Sequence, residues 1–281
     1  MRSIGAGTRL CCIFGRPVAH SLSPAMQNAA FESAGIDAVY LAFEPSSIDA
    51  AIGAMRALPI HGASVTIPFK TEIMPLLDAI DPLAEKIGAV NTLLHSGGRI
   101  IGDNTDGHGA SLALAGKGVA VRGARVLIVG NGGSARAIAF TLLEEGGSVC
   151  IAGRNGGRVA ALAGDLQRHF SGVDCLLLRD LTPEFTEDIN IIINATPVGM
   201  APRADERPRD ASLLHRHHAV MDIVYSPRTT KLLSLSAAKG CATVGGIDML
   251  LHQGARQFEI WTGKPAPLEA MRKALGSAHG T

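Results

Sequence analysis

The stretch from Arg125 to Arg136 carries the spacing best suited to binding chemistry. Gly130, Gly132 and Ala135 fill the three positions of G-x-G-x-x-G/A. The apolar, β-branched run Val126 to Val129 precedes them, and a helix of alanines and leucines follows from about Ser134 to Glu144. Strand, tight glycine turn and helix is the context in which this motif takes a dinucleotide. Gly130 permits the sharp turn, Gly132 lets the backbone approach a pyrophosphate, and Ala135 lets helix and strand pack closely. The helix N-terminus then offers N–H groups to the anion. Most isolated glycine triplets bind nothing; the flanking strand and helix argue against that here.

The next strand, Ser148 to Arg154, bears on which nucleotide. NAD-type sites end this strand in a carboxylate that holds the ribose 2′-OH. Here it ends in Arg154, with Arg158 one turn later, while Glu144 and Glu145 lie at its wrong end. An arginine matches a 2′-phosphate bidentately and stacks on adenine. The sequence therefore predicts NADP, with NAD as the alternative and a solvated surface arginine as the plainer reading. Oxidising an alcohol with such a cofactor needs a group to take the hydroxyl proton as hydride leaves. Lys70, Asn91 and Asp106 are the candidates, each after a strand or at a turn of the first half. Singly they also read as a surface charge, a turn residue and a helix cap.

These groups must be held by β/α units. Leu10 to Phe14 reads as a strand, and Gly15 to Pro24 as a loop whose Ser23 caps a helix, with Pro24 at its first position. That helix stops at Gly35. Val39 to Phe43 is strand-like, Ser47 caps a helix to Ala57, and His61 to Ile67 is a third strand. Lys70 falls where a helix could begin. Pro82 to Ile87 is a short helix, and Val90 to Leu94 pairs with Arg99 to Ile101 across Ser96-Gly97-Gly98. A helix from Asp106 to Ala115 leads to the dinucleotide strand. Strands at Val149–Ala152, Cys175–Leu178, Ile189–Ile193, Val220–Ile223 and Ala242–Val244 continue a doubly wound sheet. Arg203 to Arg209 reads as a charged, proline-containing loop. A long helix runs from Gly246 to Trp261 and a last one from Leu268 to Leu275, both expected to pack back on the first half.

The fold class is α/β in two domains. Residues 1–106 with 247–281 form an N-terminal α/β domain with a mainly parallel sheet, and 107–246 form the Rossmann-type domain. The 281 residues suit two domains, and 47% hydrophobic against 18% charged residues supply ample core. A net charge of +1 with both signs scattered gives no reason to expect nucleic acid. Met1 to Thr8 does not read as a signal peptide and no apolar run reaches membrane-span length, so a cytoplasmic protein is expected. Five cysteines without C-x-x-C spacing read as small core residues in a reducing compartment. His215, His217 and His218 read as a solvated loop rather than a metal site, and no metal is expected.

The chain resembles shikimate dehydrogenase along nearly its whole length. The matching stretches are Gly15-Arg-Pro-Val-Ala-His-Ser-Leu-Ser-Pro24, Val65-Thr-Ile-Pro-Phe-Lys70, Gly88-Ala-Val-Asn-Thr92, Gly102-Asp-Asn-Thr-Asp-Gly107, Gly130-Asn-Gly-Gly-Ser-Ala-Arg136, Ile193-Asn-Ala-Thr-Pro-Val-Gly-Met200, Asp222-Ile-Val-Tyr-Ser-Pro227 and Gly246-Ile-Asp-Met-Leu-Leu-His-Gln253. The resemblance implies NADP-dependent interconversion of 3-dehydroshikimate and shikimate, on the route to aromatic amino acids. It implies Lys70 as acid/base beside Asp106. Ser21 and Ser23 would hold the substrate carboxylate with Tyr225 nearby, and Thr66, Asn91, Asp106 and Gln253 the ring hydroxyls. Gly130, Asn131, Gly132, Gly133, Ser134, Ala135, Gly153, Arg154, Asn155, Arg158, Thr196, Ile223 and Gly246 would meet the cofactor. Gly246 would be a glycine because a side chain there obstructs the nicotinamide.

Four positions depart from the family pattern. Gln27 stands where many relatives have histidine. Gly153 and Asn155 flank Arg154 where an Asn-Arg-Thr run is usual, which removes one phosphate-binding hydroxyl. Asp248 replaces a glycine and reads as a first-turn helix residue favoured by the dipole. A quinate/shikimate dehydrogenase, often NAD-using, is the nearest alternative, although Ser21 with Ser23 favours shikimate. A methylene-tetrahydrofolate dehydrogenase would give no reason for the paired serines, and a non-catalytic NADP-binding regulator none for Lys70 with Asp106. The expected partner is a small-molecule substrate, and the chain is read as a monomer or a homodimer.

Overall fold

The computed structural model describes residues 4–201, 204–207 and 211–278. Of the expected charged loop only 204–207 falls among them; Arg203 and Arg209 lie outside. The chain divides into two compact units, Met1–Thr105 with Leu251–Thr281, and Asp106–Leu250. It crosses between them twice, at Thr105/Asp106 and within one long helix.

The first unit begins with β1 (Arg9–Phe14), α1 (Ser23–Ser33), β2 (Ala38–Phe43), α2 (Ile48–Ala57) and β3 (Ile60–Val65). β4 (Ala79–Ile80), α3 (Pro82–Ile87), β5 (Thr92–Ser96) and β6 (Arg99–Asp103) follow. The strands form one mixed sheet, β2-β1-β3-β5-β6-β4. β1 pairs in parallel with β2 and β3, whereas β5 runs antiparallel to both β3 and β6. The hairpin between β5 and β6 turns on Gly97 and Gly98, whose φ values of +59° and +75° suit the two-residue turn that matches strand twist. Ser47 caps α2 by accepting from the Ala50 N–H at 3.1 Å. Cys12, Phe14, Ile52, Met55, Val65, Phe69 and Leu93 meet in this unit's core.

The expected helix at Lys70 does not form. One turn closes from Ile73 N–H to the Phe69 carbonyl at 3.0 Å, but Pro75 has no N–H to continue it. Residues 67–73 are turns, and Met74–Leu76 a single 3₁₀ turn.

The second unit contains α4 (Asp106–Ala115), β7 (Arg125–Val129), α5 (Gly133–Glu144), β8 (Ser148–Gly153), α6 (Gly156–Gln167) and β9 (Val173–Leu177). Then come α7 (Pro183–Thr186), β10 (Ile191–Asn194), β11 (Ala219–Asp222), α8 (Lys231–Ala238) and β12 (Ala242–Gly245). Its sheet is wholly parallel, in the order β12-β11-β10-β7-β8-β9. Read from β9, that is the 3-2-1-4-5-6 order of a doubly wound nucleotide-binding sheet. Its direction reverses between β7 and β10, where such sheets open a crevice. Apolar runs such as Val126–Val129 and Ile191–Ile193 are buried because helices cover a parallel sheet on both faces.

Two sequence expectations need correction here. Cys175 is exposed, because β9 is an edge strand; the other four cysteines are buried. The three histidines do lie in a loop, but only His217 is exposed; His215 is half-buried. Their Nε2 atoms pair with the backbone carbonyls of Pro183, Ile189 and Thr186, and His218 is buried. Burial pushes the His218 imidazole down to about 4.

The last helices are α9 (Gly246–Thr262) and α10 (Leu268–Ser277). α9 starts in the second unit and continues in the first, where α10 packs on α1. Gln253, Gln257 and Trp261 share one face of α9 at i, i+4 and i+8. A Cβ at Gly62 on β3 would run into the Trp261 indole, whose N–H donates to the Leu93 carbonyl at 2.9 Å.

Candidate functional site

In the first unit, the loop after β1 enters α1 already in helical conformation at Leu22, with φ −86° and ψ −7°. A capping residue needs extended backbone, so Ser23 is not the cap, and no side chain caps this helix. The Ser23 N–H bonds instead to the half-buried Ser21 hydroxyl at 3.3 Å. The Ser23 side chain is buried. Thr66 follows β3, with its N–H on the Phe14 carbonyl at 2.9 Å, and Lys70 is half-buried with its carbonyl accepting from Val90 N–H at 2.8 Å. The loop bearing Thr66 and Lys70 is thus tied at both ends to strands or their extensions.

Asn91 lies at the start of β5, 2% exposed. Its side-chain oxygen accepts from Thr92 Oγ1 at 2.7 Å and from Thr105 N–H at 2.8 Å. Its amide nitrogen donates to Thr105 Oγ1 at 3.0 Å and, at 3.5 Å, to Gln253 Oε1. Gln257, one turn beyond Gln253, donates to Thr92 Oγ1 at 3.0 Å and accepts from Ser64 Oγ at 2.7 Å, which accepts from the Tyr40 hydroxyl at 2.6 Å. One network therefore holds Asn91 and Gln253 together and extends through Gln257 and Ser64 to Tyr40. The side chains named in it are neutral. Amides and hydroxyls both donate and accept, so such a surface can fit a polyhydroxylated ring without importing charge. Gln27 lies one turn along α1 from Ser23 and donates to the Gly254 carbonyl at 2.8 Å. Its buried Oε1 finds no hydrogen-bond partner among the described residues.

In the second unit, the glycine turn leaves β7 at Gly130, with φ +127°. A Cβ there would stand 2.7 Å from the Ala195 carbonyl and 3.1 Å from the Thr196 methyl. Gly130 is thus demanded twice, by its dihedral and by the loop that leaves β10 at the sheet's switch point. Gly132 is the cap of α5, no side chain caps that helix, and a Cβ on Gly132 would meet nothing within 4 Å. The backbone there is open to an anion at a helix N-terminus. Asn131 and Gly133 are half-buried, and Ala135 is buried under the turn. Ser134 Oγ donates to Asp106 Oδ2 at 3.0 Å, and Asp106, 4% exposed, is the first residue of α4.

Gly153 ends β8, where a Cβ would press to 2.6 Å on Val159. Arg154 and Arg158 are exposed just beyond it. The Asn155 side chain caps α6, accepting from Arg158 N–H at 3.0 Å. After β10, Thr196 donates its N–H and hydroxyl to Asn194 Oδ1 at 3.1 and 2.7 Å. After β11, Ile223 and Tyr225 are half-buried. At Gly246 a Cβ would lie 2.5 Å from the Ile223 carbonyl and 2.6 Å from that of Val224. Close backbone contact alone therefore requires glycine, a reason separate from the expected nicotinamide clearance. Asp248 sits in the first turn of α9.

Sequence reasoning missed Tyr40, Ser64, Thr92, Thr105 and Gln257 in the first unit. It missed the buried Asp222, Asn194 and Thr230 in the second. The four-residue spacing of Gln253 and Gln257 was a usable signal, as was a polar residue closing each of the apolar strands β10 and β11. Burial pushes the Asp222 carboxyl up to about 6, against the pull of hydrogen bonds from Thr230, Val224 and Asn194. Among the described residues no three His, Cys, Asp or Glu side chains group to hold a metal, and no helix is long and apolar enough to cross a membrane.

The chain has clear relatives. A family model described as the shikimate dehydrogenase substrate binding domain matches residues 13–93. One described as shikimate / quinate 5-dehydrogenase matches 112–224, and one for the shikimate 5'-dehydrogenase C-terminal domain matches 246–275. A shikimate dehydrogenase (NADP(+)) of Moorella thermoacetica is 41% identical over 100% of this chain and 97% of its own. A crystal structure of a shikimate dehydrogenase in complex with NADP+ superposes with a TM-score of 0.92 at 40% identity, covering 98% of this chain and 97% of that one. The Thermus thermophilus enzyme, solved with NADP(H) and shikimate, gives 0.86 at 35% identity over 96% and 99%.

Proposed function

The chain belongs to the shikimate dehydrogenase family, and from that premise we propose that it catalyses the reversible, NADP-dependent reduction of 3-dehydroshikimate to shikimate. The observation that carries this reading is a coincidence of two kinds of match. Relatives of that name align over the full chain, and the second unit has a doubly wound sheet with an open glycine turn at its switch point. We assign residues 1–106 with 247–281 to substrate and 107–246 to the dinucleotide. The cytoplasm is the proposed setting.

NADPH supplies the hydride; the chain's own residues bind, orient and move the proton. Lys70 gives a proton to the carbonyl oxygen as it becomes a hydroxyl, and takes it back in the other direction, with Asp106 as its partner. Ser21 and Ser23, with Tyr225, hold the ring carboxylate by donated hydrogen bonds. Thr66, Asn91, Asp106 and Gln253 read the ring hydroxyls, a role supported by the neutral network around Asn91. Backbone from Gly130 to Ala135 holds the pyrophosphate, and Arg154 with Arg158 the 2′-phosphate. Thr196, Ile223 and Gly246 line the nicotinamide end. A second reading, oxidation of quinate with NAD, draws support from the family model that spans both substrates and from Asn155, whose side chain is occupied in capping α6.

Initial rates of four mixtures separate these readings: shikimate or quinate, each with NADP or NAD. Shikimate with NADP is expected to be fastest. Quinate with NAD as the fastest pair would overturn the assignment.

A further inference from the structure

The carboxylate of Asp222 has no place in the chemistry above, yet it is fully buried at the end of β11. A buried carboxylate is costly, and an apolar side chain of similar size would often serve stability as well. Its contacts are three donors without charge. Thr230 Oγ1 donates at 2.6 Å, Asn194 Nδ2 at 2.9 Å and the Val224 N–H at 3.1 Å. Each contact leads to a different neighbour. Thr230 also caps α8, accepting from the Leu233 N–H at 3.3 Å, so that helix is pinned to the strand end. Val224 belongs to the backbone against which Gly246 packs.

Asn194 is the informative partner. Its amide nitrogen donates to Asp222 and to the Val198 carbonyl at 3.1 Å, while its oxygen accepts twice from Thr196. All four of the amide's hydrogen-bonding positions are filled, and an inverted amide would oppose donor to donor and acceptor to acceptor. Thr196 Oγ1 then accepts from Val198 N–H at 3.2 Å, and its methyl lies beside Gly130. A directional chain thus runs from Asp222 through Asn194 and Thr196 to the first glycine of the phosphate turn, all inside one unit.

We propose that Asp222 is a positioning residue for the cofactor: it fixes the Asn194 amide, and through it the Thr196 loop and the Ile223–Val224 backbone, in the arrangement that receives the nicotinamide end of NADP. The inference rests on the NADP reading given above. Without the carboxylate, Asn194 loses one of the two acceptors that orient its amide, and the loops after β10 and β11 lose their common anchor.

The test uses the full chain, with Asp222→Ala, the near-isosteric Asp222→Asn and Thr230→Val. Dissociation constants for NADP, both Michaelis constants, kcat and thermal unfolding are measured for each. Asp222→Ala is expected to weaken NADP binding ~10-fold or more, the scale of a lost charge-assisted hydrogen bond, while KM for shikimate moves less than about two-fold. Asp222→Asn keeps one acceptor oxygen and should fall between Asp222→Ala and the unaltered chain. If Asp222→Ala does not fold, Asp222→Asn and Thr230→Val carry the test, each with a rise in the NADP constant and none in that for shikimate. Variants that unfold at lower temperature yet bind NADP as the unaltered chain does would overturn the proposal. If the unaltered chain itself binds no NADP, the cofactor reading fails rather than this one.

Discussion

On the proposed assignment, the two units meet their ligands in opposite ways. The first gathers neutral side chains: Asn91, Thr92, Thr105, Gln253, Gln257, Ser64 and Tyr40 bond mainly to one another inside a mixed sheet. The second works chiefly through backbone. Gly130 brings the main chain to where a side chain would clash with the Ala195 carbonyl, Gly132 leaves the start of α5 open, and Asn194 and Asp222 bond to the loops after β10 and β11. Hydroxyl groups on a ring differ in position and need side chains to tell them apart. A pyrophosphate is a dense charge that any set of oriented N–H groups can hold. The difference predicts that substitutions in the Asn91 network change which substrate is used, and those at the glycine turn and the loops after β10 and β11 change the cofactor.

The largest effect should come from the one charged side chain assigned to chemistry in the first unit. Lys70→Ala should lower kcat by ~10²–10⁴ with KM for shikimate little altered, as steady-state kinetics would report. A change confined to KM would make Lys70 a binding residue like its neutral neighbours and blur the contrast. Next, Ser21→Ala with Ser23→Ala should raise KM for shikimate by ~10-fold or more, through lost donors to the carboxylate, and leave KM for NADP unchanged.

Much of the second unit is legible in the sequence because its signals are local. An apolar strand, three small residues and an alanine-rich helix follow one another directly, and their spacing alone dictates a glycine turn. The first unit is harder, because its network joins residues far apart in sequence. The bond from Ser64 to Gln257 spans β3 and α9, and no local pattern announces it. Ser23 fails as a cap because Leu22 has already turned helical, a conformation set by the loop before it. The helix expected at Lys70 is stopped by Pro75, which stands beyond the Thr66–Lys70 stretch that suggested it. His218 escapes a reading by composition because burial decides whether an imidazole meets water.

Smaller effects sharpen the picture within the second unit. Arg154→Asp should shift preference from NADP toward NAD, read as the ratio of kcat/KM for the two cofactors. An unchanged ratio would return Arg154 to the solvated surface. The smallest effect is on stability. Asp222, raised to about 6 from 3.8, binds a proton when folded that the unfolded chain has released, so its contribution falls as pH rises from 3.8 to 6. His218, lowered to about 4 from 6.5, does the reverse, and its contribution grows as pH rises from 4 to 6.5. The two oppose each other over nearly the same window. Chemical denaturation across that window should show stability climbing with pH in Asp222→Asn and falling with pH in His218→Asn. Parallel slopes in the two variants would contradict at least one of the assignments.

The division of labour between the units is tested most directly by measuring both Michaelis constants in two variants, Asn91→Ala and Gly130→Ala. Asn91→Ala should raise KM for shikimate and spare NADP. Gly130→Ala, strained by a φ of +127° and crowded by the Ala195 carbonyl, should do the opposite. If each variant moved both constants alike, the account of two separately built recognition surfaces would be wrong.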